Sequence, residues 1–583
     1  MREKIRTRKV YQEMDNDNNK YSTQIHGNTE EVLLGIKKSA QKISDIVAHT
    51  AGPYGHNVML VNGRTCRITK DGISVLRSMT EPETESDFIA LSVIRSASDE
   101  TNRKAGDGTT ATCILANEIF QKGHTFLTAG VNGNLLRNGI NKASELAQSI
   151  VAKNIAVPVK DDQDIYNVAK VSANGSDEIA KILTDVFSKI GKDGMARVEL
   201  SNTDKTTSKI VYGMTIDRGF ESPYFATNPH GEAVLDNPII LLVNKRLSVL
   251  GELLKPFEAL SKLNRPILVV AENYDPDILN TFIVNKIRGL PICAILGPNY
   301  GEWRTKMMED LAVVTGGKVI SPATGLTLES VCTDTTILGS AKQVIVTAES
   351  TSIIADTTVI DKKRFDDRVA EIDAELADEK ATDYDRNINK TRKARMVSGI
   401  GIISVGGATE AEMHEKKDLV DDAFASVSSS QKKGIVPGCG LTYLAVQDEL
   451  YAWLEEHLKE LTSEEAAGFR VFADALSKPF LTICGNSGKQ NAAYALGVVQ
   501  EANRSEHLTH AENKQYGVSL SGWTKCVDLG TGEMIDVLDK GIVDSAAAVI
   551  ETMKNGSAAA GQLLSLSGVV NTPVKPVPVQ TQV

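Results

Sequence analysis

Over residues 28–48, apolar side chains recur at the spacing of one helix face: Val32, Leu33, Ile36, Ala40, Ile43, Ile46 and Val47. Gly52-Pro53 breaks that pattern, and residues 57–61 read as a short strand. A helical stretch then runs from residue 87 to about residue 153, cut by glycine-bearing loops at 106–108 and 130–133. Val157-Pro158 marks a change of character. Between about residues 211 and 400 the pattern becomes strand–helix alternation. Residues 239–243 and 267–271 are apolar enough for buried strands, and each precedes a helical stretch. Residues 365–396 form a charged helical pair, and from residue 433 onward helical periodicity returns. One architecture accommodates this order: the two ends of the chain form a helical domain, and an α/β segment is nested between them.

Length and composition bound the reading further. A chain of 583 residues is too long for one hydrophobic core, so two to four domains are expected. The net charge of −11 argues against a general nucleic-acid footprint. No apolar run reaches the roughly 18 residues of a membrane span. The seven cysteines are scattered and never spaced as CxxC, which argues against a disulfide framework or zinc site and fits a reducing compartment. The first twenty residues have no apolar core, so they read as a polar extension and not a secretory signal, and the proline-rich end NTPVKPVPVQTQV reads as an extended tail.

Two stretches carry candidate chemistry. AGDGTT, residues 105–110, stands directly before a helical run; glycines admit phosphate to backbone N–H groups, and a helix N-terminus favours anions. Asp107 can hold Mg²⁺ there, and the hydroxyls of Thr109 and Thr110 can bond phosphate oxygens. A ligand-free acidic capping turn is the competing reading of that loop. The second stretch is an over-wide apolar stripe, Leu247, Val249, Leu250, Leu253, Leu254, Phe257 and Leu260, followed by Leu279, Phe282, Ile283 and Ile287 on the next helix. Packing on the neighbouring strands accounts for part of each helix; the extra width leaves an edge for binding.

Further segments make the pattern specific. HTAGPYGHNV (49–58), TKDGISV (69–75), ATEAEMHEKKDLVDDA (408–423) and GIVPGCG (434–440), in this order with AGDGTT, resemble the group I chaperonin family, the GroEL type. DRGFESPYF (217–225), NKIRG (285–289), DYDR (383–386) and GIVD (541–544) extend the resemblance across most of the chain. It implies an α-rich multidomain chaperonin fold. The helical equatorial domain would comprise residues 1–154 and 433–583, a small α/β intermediate domain 155–211 and 401–432, and an inserted α/β apical domain 212–400.

Carried across by that resemblance, Thr50, Ala51, Gly52 and Pro53 would wrap the phosphates of ATP, with Lys70 nearby. Asp107 would hold Mg²⁺, and Gly108, Thr109, Thr110 and Ala111 would line the phosphates. Gly438, Cys439, Gly440, Ser519, Leu520 and Asp544 would surround base and ribose, with K⁺ as a further candidate ion. Asp422 matches the catalytic carboxylate and Asp71 a second acid beside the γ-phosphate. By the residues alone, Asp422 also reads as a solvated helix carboxylate beside Asp421. Phe220, Tyr224, Phe225, Leu254, Phe257, Leu279, Ile283 and Val284 match the apical residues that hold non-native polypeptide and dock a lid-like co-chaperonin.

The resemblance implies an ATP-dependent foldase assembled as a homo-oligomeric ring, of seven subunits in one or two rings, in a bacterial or host cytoplasm, with no nucleic-acid or membrane partner. Its source could be a bacterium, an organelle or a virus. Arg218 and Glu410 match a pair linking apical and intermediate domains. Several positions depart from the family. Ala111 stands where a third threonine is usual, Cys439 replaces the middle glycine of GGG, and Ser519-Leu520-Ser521 replaces Asn-Ala-Ala. Leu419 replaces an arginine, and Leu481 and Gln490 stand where an Arg and a Glu are usual at the ring–ring face. These departures motivate the alternative of a poorly hydrolysing holdase or assembly scaffold. A metabolic kinase is disfavoured by the lack of GxxxxGK[ST].

Overall fold

The computed structural model describes residues 24–26, 29–62, 65–80, 82–191, 195–201, 203–228, 231–356, 358–378, 381–397, 399–510, 522–566 and 569–571. The polar extension read at residues 1–20, most of the proline-rich tail, and Ser519 and Leu520 lie outside them.

The chain divides into two compact units, Met1–Ala180 with Asp418–Val583, and Lys181–Lys417. The nested arrangement read from the sequence is thus present. The residues expected to form the intermediate domain, 155–211 and 401–432, are shared between these two units.

The first unit is helical. Thr29–Ala48, Glu85–Ala105, Thr109–Thr128 and Gly133–Ile150 come from the first part of the chain. Leu441–His457, Ser463–Ala475 and Ala546–Leu564 come from the last. Their periodic faces meet in one core that includes Ile36, Ile94, Phe120, Leu136, Leu444, Phe472 and Met553. Small residues permit the last helix to pack closely: in Ala546–Leu564 nearly every position is buried, and alanine or glycine fills many of them. Thr84 and Thr462 begin their helices with capping boxes, satisfying backbone N–H groups that would otherwise lack partners. Two short antiparallel pairs complete the unit's part of the site: Ile435–Pro437 with Val543–Ser545, and Lys525–Val527 with Met534–Asp536.

The second unit is α/β. Its main sheet runs in the order Ile292–Leu296, Ile267–Tyr274, Ile239–Leu247, Gly339–Val346, Thr351–Ala355, Gly213–Ile216. The first three strands are parallel and almost wholly buried, which explains their unbroken apolar sequence. Helix Leu250–Ser261 follows strand Ile239–Leu247 and helix Pro276–Ile287 follows strand Ile267–Tyr274, each a crossover to the next parallel strand. A separate three-stranded sheet places Ile400–Val405 between Met195–Leu200, parallel, and Thr207–Val211, antiparallel.

The charged pair read over residues 365–396 is present as helices Lys362–Ala377 and Asp383–Val397. Its charges are not all solvated. Arg392 and Asp310 are both fully buried and paired at 2.8 Å, Arg368 reaches the same carboxylate at 2.7 Å, and Glu375 bonds Arg392 at 2.9 Å.

Candidate functional site

In the first unit, five segments converge around the N-terminus of helix Thr109–Thr128. Gly108 precedes it at φ +88°, and no side chain caps it, so the first N–H groups remain available to an anion. The loop is closely enclosed: a Cβ at Gly106 would lie 2.1 Å from that of Ala425, and one at Gly108 would lie 2.6 Å from the Thr552 hydroxyl. Both glycines also have positive φ, so any other residue here meets strain as well as a clash.

Thr50 lies across from this loop, its hydroxyl 3.4 Å from that of Thr110. The turn carrying Ala51, Gly52 and Pro53 is tied down by Asn486, whose amide donates to the carbonyls of Ala48 at 2.8 Å and Ala51 at 2.9 Å. Lys70 donates to the Pro53 carbonyl at 3.2 Å, and burial pushes its amine below the usual lysine range. Asp71 caps helix Gly72–Ser78 by accepting from the backbone of Ile73 and Ser74. A Cβ on Gly72 would fall 2.2 Å from the Thr110 hydroxyl, so Asp71 stands directly beside the phosphate-loop candidates.

Asp107 accepts from its own loop at Gly108 N–H and from the Ser172 hydroxyl at 3.0 Å. Burial, with Asp71 adding to it, still raises its carboxyl above the usual range. Asp422 projects from helix Glu410–Lys433. Burial, then Asp71, Asp107, Asp418 and Asp421, push its carboxyl well above that range. Asp544 sits on Val543–Ser545 opposite Val436, and burial with Asp107 pushes it to about 7. Asp107, Asp422 and Asp544 are thus all raised by burial first and by neighbouring carboxylates second, an excess of enclosed negative charge that a bound cation would relieve.

Among the described residues, no group of three His, Cys, Asp or Glu is arranged to hold a metal by itself. Mg²⁺ needs no such cluster, since it is usually held by one or two carboxylates together with phosphate oxygens and water. The oxygen-only donors here fit the chemistry of such a hard ion.

The glycine loop closes another side. The Gly438 N–H donates to Ile542 at 3.0 Å, and Gly440 approaches Phe480. Cys439, between them, adopts φ +58°, a left-handed conformation that costs a residue with a Cβ roughly 1–2 kcal/mol. The neighbouring Cys526 on Lys525–Val527, and then burial, push its thiol well above the usual cysteine range. Thr109 is buried, and Ala111 is partly buried one position beyond Thr110. The sequence reading missed Ser172, Asn486 and Cys526. Ser172 and Asn486 act through hydrogen bonds over 65 and more than 430 residues, and no local pattern marks them.

The apical candidates lie in the second unit and separate by exposure. Tyr224 (69%), Leu254 (57%) and Val284 (44%) are exposed, joined by Val249, Leu250 and Ile287. Phe220, Phe257, Leu279 and Ile283 are half-buried, each with one side packed on the core. Phe257 meets Phe282 with ring centroids 4.9 Å apart. Phe225 corrects the expectation: it is fully buried, turned inward by the Pro223–Phe225 turn that Ser222 caps, and presents no surface to a ligand. Arg218 lies over the Tyr300 ring at 5.2 Å while the Glu410 side chain is 84% exposed, so the pair read from sequence is not formed within this chain.

Solved structures share this fold. The chaperonin gp146 from the bacteriophage EL 2 (Pseudomonas aeruginosa), crystallised in the presence of ATP-BeFx, matches over 94% of this chain and 99% of its own, with TM-score 0.66 and 20% identity. A second crystal form of gp146 matches with TM-score 0.59, the same coverage and 20% identity. Their likeness defines the class of fold, the chaperonin fold. The model of the TCP-1/cpn60 chaperonin family matches residues 43–573, and the chain belongs to that family. No described helix is long and apolar enough to cross a membrane.

Proposed function

We propose that this chaperonin binds and hydrolyses ATP in its first unit and uses that cycle to hold and release non-native polypeptide on the apolar helices of its second. The observation that carries the reading is the approach of Asp71, Asp107 and Asp422 to one another, with Asp544 near Asp107, beside an uncapped helix N-terminus. Such an arrangement is unfavourable when empty and suited to a metal-bound polyphosphate. Gly108, Thr109 and Thr110 offer N–H and hydroxyl donors to phosphate, Thr50 to Pro53 wrap it, and Lys70 adds positive charge.

Mg²⁺, when bound at Asp107, would offset the negative charge of the phosphates. Asp422 orients and partly deprotonates the attacking water, and its raised pKa makes it a better proton acceptor than an ordinary aspartate. Asp71, already fixed as a helix cap, supports that water from the other side. Gly438 to Gly440 and Asp544 border the sugar and base.

Tyr224, Leu254, Val284 and the exposed sides of Phe257 and Ile283 form the capturing surface. Exposed apolar area is the property that unfolded chains share, so no sequence motif is needed for recognition. The three-domain division, a seven-membered ring and a lid-like co-chaperonin belong to the same proposal. With Leu481 and Gln490 at the ring–ring face, a single ring is favoured in at least one nucleotide state, and particle mass with and without ATP reads this out.

The crowding of Cys439 in the glycine loop favours a second reading, a holdase that hydrolyses poorly. One experiment separates the two: nucleotide affinity and steady-state phosphate release for the wild type, Asp107→Ala and Asp422→Ala. The foldase reading expects turnover in the wild type, lost binding in Asp107→Ala, and binding without turnover in Asp422→Ala. Tight binding with no turnover in the wild type would select the holdase.

A further inference from the structure

Thr101 on helix Glu85–Ala105, Thr112 on Thr109–Thr128, and Thr552 and Asn555 on Ala546–Leu564 form a buried polar cluster within the helical core. Thr112 and Thr552 are wholly enclosed, and their hydroxyls reach the carbonyl of Gly108 at 2.9 and 3.2 Å. That carbonyl also accepts the Thr112 N–H at 2.9 Å. The Thr112 hydroxyl lies 3.0 Å from that of Thr101 and 3.3 Å from that of Thr552, and the Asn555 amide donates to Thr101 at 2.9 Å. Valine would fill either threonine's space without burying a hydroxyl, so packing does not explain these groups.

The carbonyl they share belongs to the most pliable point of the phosphate-loop candidate. Gly108 has φ +88° and ψ +7°, and a glycine resists rotation of its peptide less than any other residue. Its own N–H is taken by the Asp107 carboxylate, which makes the Thr109 N–H the first that the helix can offer an anion. The peptide joining Gly108 to Thr109 is planar and trans, so its C=O and N–H point in opposite directions. Holding the carbonyl at Thr112 and Thr552 therefore aims the Thr109 N–H away from those side chains. The reversed peptide would turn a carbonyl oxygen toward bound phosphate, where it repels.

We propose that Thr112 and Thr552 are positioning residues for the nucleotide: their hydroxyls hold the Gly108–Thr109 peptide in the orientation that offers an N–H to phosphate. The proposal rests on the ATP reading above and deepens it. The Gly108 carbonyl has two lone pairs and three donors within reach, so either hydroxyl can hold it when the other is lost. Thr112 is free to serve in that way because its proton has Thr101 as an alternative acceptor.

The test therefore removes both hydroxyls at once. Thr112→Val combined with Thr552→Val keeps the side-chain shape, and Thr112→Ser combined with Thr552→Ser keeps the hydroxyls. Each full-length protein is titrated with MgATP, melted without nucleotide, and compared by hydrogen exchange of the peptide covering residues 105–115. Thr112→Ala combined with Thr552→Ala removes the same hydroxyls in a better helix former, and carries the test if the valine pair does not fold.

The valine pair should bind MgATP about tenfold more weakly, the scale of one net hydrogen bond, while the serine pair stays within about twofold of the wild type. Exchange of the 105–115 peptide should quicken in the valine pair and not in the serine pair. A valine pair with wild-type affinity overturns the proposal, whether or not its melting temperature falls, and so does a serine pair as weak as the valine pair. Weaker binding with unchanged exchange overturns the hold on the peptide. If the wild type binds no MgATP, the ATP reading fails, and the exchange comparison still decides whether the hydroxyls hold the loop.

Discussion

Asp422→Asn separates what the carboxylate costs the fold from what it contributes to chemistry. Burial and the neighbouring Asp71, Asp107, Asp418 and Asp421 hold its carboxyl well above the usual range. Each unit of that shift penalises the ionised form by about 1.4 kcal/mol in the nucleotide-free protein. A folded-state pKa above the unfolded value means stability is greatest at low pH and falls as pH rises toward the folded pKa. Asparagine keeps the size and polarity but not the charge. At pH 8 the variant should therefore be more stable than the wild type by about 1–2 kcal/mol, raising Tm by about 1–3 °C, and the difference should shrink at pH 5. Turnover should fall on the order of a hundredfold, about 2.7 kcal/mol in the barrier, because orientation of the water matters most in the transition state. Nucleotide affinity should change little. Thermal melts at the two pH values, a nucleotide titration and phosphate release measure all three. A variant less stable than the wild type at pH 8, or with near-normal turnover, refutes the placement of Asp422 among these acidic groups.

Leu254→Ser should lose capture of a denatured model protein with little change in Tm, since Leu254 is 57% exposed. Phe257→Ser should lose capture and also about 2 kcal/mol of stability, because one face of its ring packs on Phe282; equal Tm values for the two variants would count against this division. Arg392→Met leaves Asp310 buried with Arg368 as its remaining partner and should cost about 3–5 kcal/mol in denaturant unfolding; a neutral result would mean the network adds no stability. Asp544, held near 7, should make the nucleotide-free wild type lose up to about 1.4 kcal/mol per pH unit between about pH 5 and 7, and Asp544→Asn should flatten that slope.

Much of the fold was legible because its elements follow strong periodicities. The helix read over 28–48 is Thr29–Ala48, the strand read over 57–61 is Val58–Asn62, and the glycine loops fall between Glu85–Ala105, Thr109–Thr128 and Gly133–Ile150. The buried strands at 239–243 and 267–271 were visible because parallel strands covered on both faces carry no polar alternation. Burial within short or charged segments was not legible. Phe225 lies in a three-residue turn, too short for any period to say which way it faces. Residues 365–396 read only as a charged helical pair, and nothing in that pattern says that packing against Gly301–Thr315 buries Arg392 with Asp310. At the candidate site, AGDGTT read locally as a phosphate loop or as an acidic capping turn, and the approach of Asp422, Asp544 and Cys526 brings together segments hundreds of residues apart. Motif order supplied the first two through family resemblance. Cys526, in a stretch where the chain departs from the family, had no such guide.

The central claim is that nucleotide chemistry in one unit governs polypeptide capture in the other. The most direct measurement loads the nucleotide-free protein with a fluorescently labelled denatured polypeptide and follows its release on adding MgATP. Retention until MgATP arrives, then release in the wild type but not in Asp107→Ala, is the predicted result. Capture that is absent, or that is unaffected by MgATP, contradicts the account.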